Sequence, residues 1–361
     1  MLLGNLSNSI SSGRNKHRDA NGQYPVFGST GIIGYSSTYE YEGPVILVAR
    51  VGANAGTLNF ASGQYDVSDN TLIITIKQNV YDYNFAYNQL THYKLNKLVF
   101  GSGQPLITSK QLKNIRIPVP PLAEQQKIAE VLGVWDEAIE KQVRLIEKLA
   151  LRKRALMQRL LSAKLRLPGF SEPWKIHKLQ ELFTERNETN RTDLPLLSIT
   201  GDRGVILQTE SEKRDTSNDD KSKYKRIAKG DIGYNTMRMW QGRSALSGLE
   251  GIVSPAYTIV VPNTTDVDGY YMSVLFKQPR LVYDFWTHSQ GLVGDTLNCK
   301  YRDFGQVHIC CPPLAEQKAI TEVLTAADRE IELAKEKLER LRRQKRGLMQ
   351  QLLTGKKRVK Y

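Results

Sequence analysis

Pro120-Pro121-Leu122-Ala123-Glu124-Gln125 returns letter for letter as Pro312-Pro313-Leu314-Ala315-Glu316-Gln317, 192 positions later. The likeness extends without a gap over 120–166 and 312–358, where 24 of 47 pairs are identical. A gapless match of that length marks a duplicated structural unit. Its period says which kind. In the first copy Ile128, Leu132, Trp135, Ile139, Gln142, Ile146, Leu149, Lys153, Leu156 and Leu160 follow steps of four and three. In the second, Ile320, Leu324, Ala327, Ile331, Ala334, Leu338, Leu341, Lys345, Leu348 and Leu352 keep the same phase. A 4-3 repeat held this long is a coiled-coil seam. Both copies interrupt it with a lysine, which costs stability and can fix register or partner.

The six repeated letters launch these helices. Pro-Pro keeps the entering chain extended, and the second proline suits a first helical position. Glu124 and Glu316 fall in the first turn, at the positive end of the helix dipole. The helices are expected to end near Ser162-Ala163 and Thr354-Gly355. Charge sets their relative direction. All six acids of the first copy lie at or before Glu147, and Lys148 to Arg166 holds seven bases and no acid. In the second copy the last acid is Glu339, and eight bases follow by Arg358. Antiparallel packing sets each acidic half against a basic half, whereas parallel packing places the basic ends together.

The remainder is two segments, 1–119 and 167–311, expected to be β-rich globular heads. Pro44–Arg50, Thr71–Ile76 and Tyr257–Val261 read as strands between Gly- and Asn-rich breaks. Pro25–Gly34 and Pro195–Gly204 share the pattern P-x4-T-G-x2-G, so the heads are distant copies. Leu112–Ile117 and Phe304–Ile309 repeat that likeness just before each helix. The polar stretch Gln208–Lys223 reads as a surface loop added to the second head. The expected order is head 1–119, helix 120–166, head 167–311, helix 312–361, an α+β tandem repeat with approximate two-fold symmetry.

The 361-residue chain carries a formal charge of +14 and a pI near 9.5, which favours a polyanionic partner. The charge is uneven: +4 on the first head, +4 on its helix, zero on the second head and +6 on the last segment. A local cluster, Lys221-Ser222-Lys223-Tyr224-Lys225-Arg226, still marks the second head. No run is long and apolar enough for a membrane span, and the first ten residues lack the basic start of a signal peptide. Three cysteines without metal or disulfide spacing fit a reducing cytoplasm. No phosphate-binding Gly-x4-Gly-Lys-Ser/Thr motif occurs, nor an Asn/Asp-Pro-Pro-aromatic methyltransferase motif, and the five histidines have neither metal nor triad spacing. Gly52–Gly56 reads as a tight turn rather than a phosphate cradle. The chain is expected to lack a catalytic centre.

Two dissimilar heads alternate with two similar helices, each opening PPLAEQ and closing Leu-Met-Gln-x-Leu-Leu (Leu156–Leu161 and Leu348–Leu353). With Trp174-x4-Leu179 opening the second head and Gly28–Tyr35 in the first, the whole chain resembles the specificity (S) subunit of type I restriction-modification systems. The resemblance implies that each head is a target recognition domain reading one half of a split DNA site, held apart by the helices. It implies two modification subunits, which use S-adenosylmethionine, and possible restriction subunits, which use ATP and magnesium. No cofactor is expected on this chain. The Trp-x4-Leu opening has no counterpart in the first head, because Met1 falls just inside it; a trimmed or misassigned start is expected there.

Base reading needs Arg or Lys for guanine and Asn or Gln for adenine, and phosphates take Lys, Arg and hydroxyls. Those chemistries nominate Arg14, Lys16, Arg50, Asn54, Ser102 and Gln104 in the first head. In the second they nominate Arg238, Gln241, Arg243, Ser289 and Gln290, with Lys221, Lys223 and Lys225 as phosphate contacts. Two readings compete: a scaffold that binds partners but no DNA, favoured by the neutral second head, and a single-chain restriction enzyme, opposed by the missing motifs.

Overall fold

The computed structural model describes residues 1–16, 18–100, 105–201, 203–211, 217–291 and 297–360. The chain divides into two compact units, Met1–Ile146 with Ala334–Tyr361, and Glu147–Leu333. Each unit joins one head to complementary halves of both long helices.

The long helices are Leu122–Leu160 and Leu314–Leu352. They begin one residue after the second proline, whose carbonyl accepts from the amides of the repeated Glu and Gln. Every residue of the two 4-3 series is buried or half-buried. In the first unit Ile128, Ala129 and Leu132 share a core with Met349, Leu352 and Leu353, so the start of one helix lies against the end of the other. In the second unit Leu160 and Leu161 share a core with Ile320 and Leu324, again start against end. The helix halves within each unit therefore run antiparallel.

Polar seam positions find partners across the pair. Buried Gln142 donates to the Ala334 carbonyl at 2.9 Å. Lys345 pairs with Asp136 in the first unit, and Lys153 with Asp328 in the second. These two ion pairs are repeat copies of each other, as the 192-residue offset requires.

The first head is built on an antiparallel sheet ordered Ser7–Ser12, Thr71–Ile76, Val45–Ala49, Leu58–Ala61. Val45–Ala49 is buried at every position, because both faces of this sheet are covered. Ile46 and Val48 pack towards the helix Tyr83–Tyr93 and the long helices. Val45 and Leu47 pack towards Tyr65 and Val67 of a second sheet ordered Gly31–Ser36, Tyr24–Gly28, Gln64–Val67, Tyr41–Glu42. The second head repeats the central sheet as Phe183–Glu185, Tyr257–Pro262, Ile232–Asn235, Ser244–Leu246. Two short hairpin-like pairs, Leu197–Ile199 with Val205–Leu207 and Lys225–Ile227 with Gly251–Val253, cover its far face.

The PPLAEQ segments dock each helix to its own head. Gln125 is fully buried; its Oε1 accepts from the Asp82 amide at 2.9 Å, and its Nε2 donates to the carbonyls of Val80 and Pro120. Asp82 in turn caps the helix Tyr83–Tyr93 by accepting from the Phe85 amide. Gln317 makes the same bonds to the Asp268 amide and the Asp266 and Pro312 carbonyls, and Asp268 caps Gly269–Leu275. Glu124, 1% exposed, accepts two hydrogen bonds from Arg358 beyond the end of the other helix. Glu316 accepts two from Arg166 and one from the Trp174 indole. The repeated hexapeptide thus clasps a head through its Gln and the opposite helix end through its Glu.

Candidate nucleic-acid interface

The central sheets place Arg50 and Asn54 of the first head, and Arg238, Gln241 and Arg243 of the second, on equivalent loops. In the first head the hairpin loop 50–57 joins Val45–Ala49 to Leu58–Ala61; in the second the loop 236–243 joins Ile232–Asn235 to Ser244–Leu246. Both loops have eight residues, and both place a glycine of positive φ in the seventh position, Gly56 at 91° and Gly242 at 69°. At Gly56 a Cβ would also lie 2.6 Å from the Asn96 backbone nitrogen, so two constraints hold that glycine. The stretch Gly52–Gly56 is therefore a tight strand-to-strand turn.

In the first head, exposed Asn54 sits on this turn. Arg50, at its base, is half-buried; its Nη1 donates to Ser12 Oγ at 3.2 Å, and its Nε is buried with no partner among the described residues. Arg14 and Lys16 lie on the exposed run after the edge strand, with Arg14 3.7 Å from Glu40. Ser102 and Gln104 lie outside the described residues.

In the second head, Met239 is fully buried and anchors the loop in the core. The Arg238 carbonyl accepts from the amides of Gln241 and Arg243, and Asn235 Oδ1 accepts from the Met237 amide. The chain around Arg238, Gln241 and Arg243 is thereby fixed while their side chains stay exposed. Arg238 and Arg243 line a cleft of about 400 Å³ with Thr200, Gly201, Arg203 and Asn235. A second cleft of about 530 Å³, lined by Lys225, Thr236, Met237, Lys300 and Arg302, opens on the other side of this loop. Lys221 lies over the Tyr224 ring and donates to the Asn218 carbonyl; Lys223 is exposed; Lys225 is half-buried, 3.8 Å from Glu185. Ser289 Oγ donates to the Phe285 carbonyl at a helix end, and exposed Gln290 pairs its backbone with Asn298.

Carboxylates hold several arginines of the second head. Arg186 is bound by Asp231, Arg191 by Asp193 and Glu188, and Arg226 by Glu188 and Glu250. The Arg226 guanidinium, then that of Arg191, holds the Glu188 carboxyl below its ordinary range. Among the described residues no carboxylate pairs with Arg238 or Arg243. Sequence reasoning missed Arg203, Thr200 and Asn235 as cleft residues. The available signal was P-x4-T-G-x2-G, which forms the hairpin on the far side of the cleft. Among the described residues no cluster of three or more His, Cys, Asp or Glu could hold a metal ion, and no helix is long and apolar enough to cross a membrane.

Comparison with known proteins finds a match of residues 7–149 to the family described as "Type I restriction modification DNA specificity domain". The type I restriction enzyme MjaVIII specificity subunit of Methanocaldococcus jannaschii is 27% identical over 345 residues, covering 87% of this chain and 79% of the relative. The crystal structure of a type I restriction-modification S subunit from M. genitalium superposes with a TM-score of 0.61 at 15% identity, covering 98% of this chain and 95% of that one. A chain from a structural study of assembly and conformational transition in the type I R-M system gives 0.59 at 18% identity, covering 98% and 97%. At these identities the two structures bear on the fold alone.

Proposed function

We propose that the chain is a specificity subunit of a type I restriction-modification system, a reading supported by the match of residues 7–149 and by the relative above. Each head reads one half of an asymmetric, bipartite DNA site, through the hairpin loops 50–57 and 236–243 and the surfaces beside them. The helices set the distance between the half-sites and dock two modification subunits; restriction subunits complete the assembly where they exist. The chain itself performs no chemistry and binds no cofactor. S-adenosylmethionine acts on the modification subunits, and ATP and magnesium on restriction subunits, all in the cytoplasm.

One observation carries this reading. The two loops match in length and in glycine position, yet Gly52 and Thr57 stand in one where Arg238 and Arg243 stand in the other. Equivalent placement with different chemistry is what two readers of unlike half-sites require. The test is to co-express the chain with its modification subunit and map methylated adenines genome-wide. One split motif should emerge and vanish when the chain is omitted; methylation without such a motif would sink the proposal. The scaffold alternative draws on the neutral second head, and a band-shift competition at physiological salt between duplex carrying the mapped motif and random duplex separates it, since a scaffold prefers neither.

A further inference from the structure

Resting on the reading of the heads as half-site readers, we propose that Arg238 and Arg243 form a guanine reader, selecting G·C pairs in the half-site taken by the second head. Four features of the loop 236–243 converge on this. Its backbone is held in place by buried Met239, by the bonds to the Arg238 carbonyl and by Trp240 Nε1, which donates to the Met237 carbonyl at 3.0 Å. A fixed base lets a guanidinium fork be aimed with little loss of freedom on binding. Arg203, on the opposite wall, is engaged by the Glu210 carbonyl and carboxylate. Arg238 and Arg243, facing the same cleft, have no such carboxylate among the described residues.

The third feature is Gly201. It has no positive φ, so its backbone conformation does not call for glycine. A Cβ built there would lie 2.5 Å from Nη1 of Arg243. The missing side chain makes room for that guanidinium against the hairpin turn. The fourth is the comparison within the chain. Counted along the equal-length loops, Gly52 and Thr57 stand in the first head where Arg238 and Arg243 stand in the second. The arginine pair is a property of one head and not of the shared scaffold. Guanine presents O6 and N7 as adjacent acceptors in the major groove, and a planar guanidinium fork meets both.

The experiment uses the full chain with its modification subunit and a plasmid library randomised across both half-sites. Methylated and unmethylated molecules are sequenced. Wild-type protein should prefer G·C at one or two positions. Arg238→Ala and Arg243→Ala should each lower the preference at one position about 5- to 150-fold, with the first half-site read as before. Gly201→Ala should relax the same position as Arg243→Ala, because it displaces only that guanidinium. An unaltered first half-site in the same molecules reports that the variants are folded. An even fall in methylation with unchanged preference would mean phosphate contacts and overturn the proposal. So would a second half-site with no G·C preference. Both results leave the two-reader function standing; that function fails only if no split motif exists.

Discussion

Arg358→Ala tests the clasp that the repeated hexapeptide makes. Glu124 is 1% exposed and accepts from Arg358 Nε at 2.7 Å and Nη2 at 2.6 Å, with the Val359 amide at 3.3 Å. Removing the guanidinium strands a buried carboxylate on that amide. An unsatisfied buried acceptor costs about 1–3 kcal/mol, and more when charged. The Arg358 side chain is itself 64% exposed, so solvent screens the pair and the value is held near 2 kcal/mol. For a unit of this size each kcal/mol moves the midpoint by about 2–4 °C, so the first unit should unfold about 4–8 °C lower. The effect has a pH signature. The Arg358 hydrogen bonds hold the Glu124 carboxyl below its ordinary range. A depressed carboxyl contributes stability above its unfolded pKa and loses it as pH falls through the folded one. The gap between wild type and variant should be full at neutral pH and close in acid. Adding Glu124→Gln to Arg358→Ala should recover part of the loss, since no charge is then stranded. Scanning calorimetry across pH reads all three. A neutral-pH midpoint within a degree of wild type, or a gap that persists in acid, would refute the reasoning.

Two further outcomes follow from the same contacts. Gln317→Ala unpairs the Asp268 amide and the Asp266 and Pro312 carbonyls beneath the second head, and should cost about 2–3 kcal/mol in urea denaturation; an unchanged midpoint would mean the Gln is not a clasp. Burial pushes the thiols of Cys299 and Cys311 up to about 12, whereas Cys310 is exposed. A thiol reagent at neutral pH should therefore titrate one cysteine per native chain and three after unfolding; three fast thiols in the native chain would contradict the packing of the second head.

The long helices were legible because a 4-3 period, a proline entry and a charge gradient all point the same way. The central strands Val45–Ala49, Thr71–Ile76 and Tyr257–Pro262 were legible from apolar runs between turn residues. The clasps were not. Glu124 and Arg358 are 234 residues apart, and a helical pattern says nothing about the partner of a residue beyond its end. A trace did exist: Glu124, Asp136, Lys153 and Arg166 are all identical to their repeat mates, although the surface charges around them drift. The equivalence of loops 50–57 and 236–243 was hidden because they share little besides one glycine, and strand pairing alone brings them into register. Pairing also separated the arginines of the second head into those bound by carboxylates and those facing the cleft, a division that net charge cannot express.

In the proposed function the helices set the distance between two readers. The most direct measurement deletes one heptad from each helix in register, Lys141–Glu147 with Ala334–Arg340, which preserves the 4-3 phase of both seams. Seven residues shorten a helix by about 10 Å, or roughly three base pairs at 3.4 Å each. The methylated motif of this variant should keep both half-site sequences and lose bases only from the gap between them. An unchanged gap, or a new half-site sequence, would contradict the account.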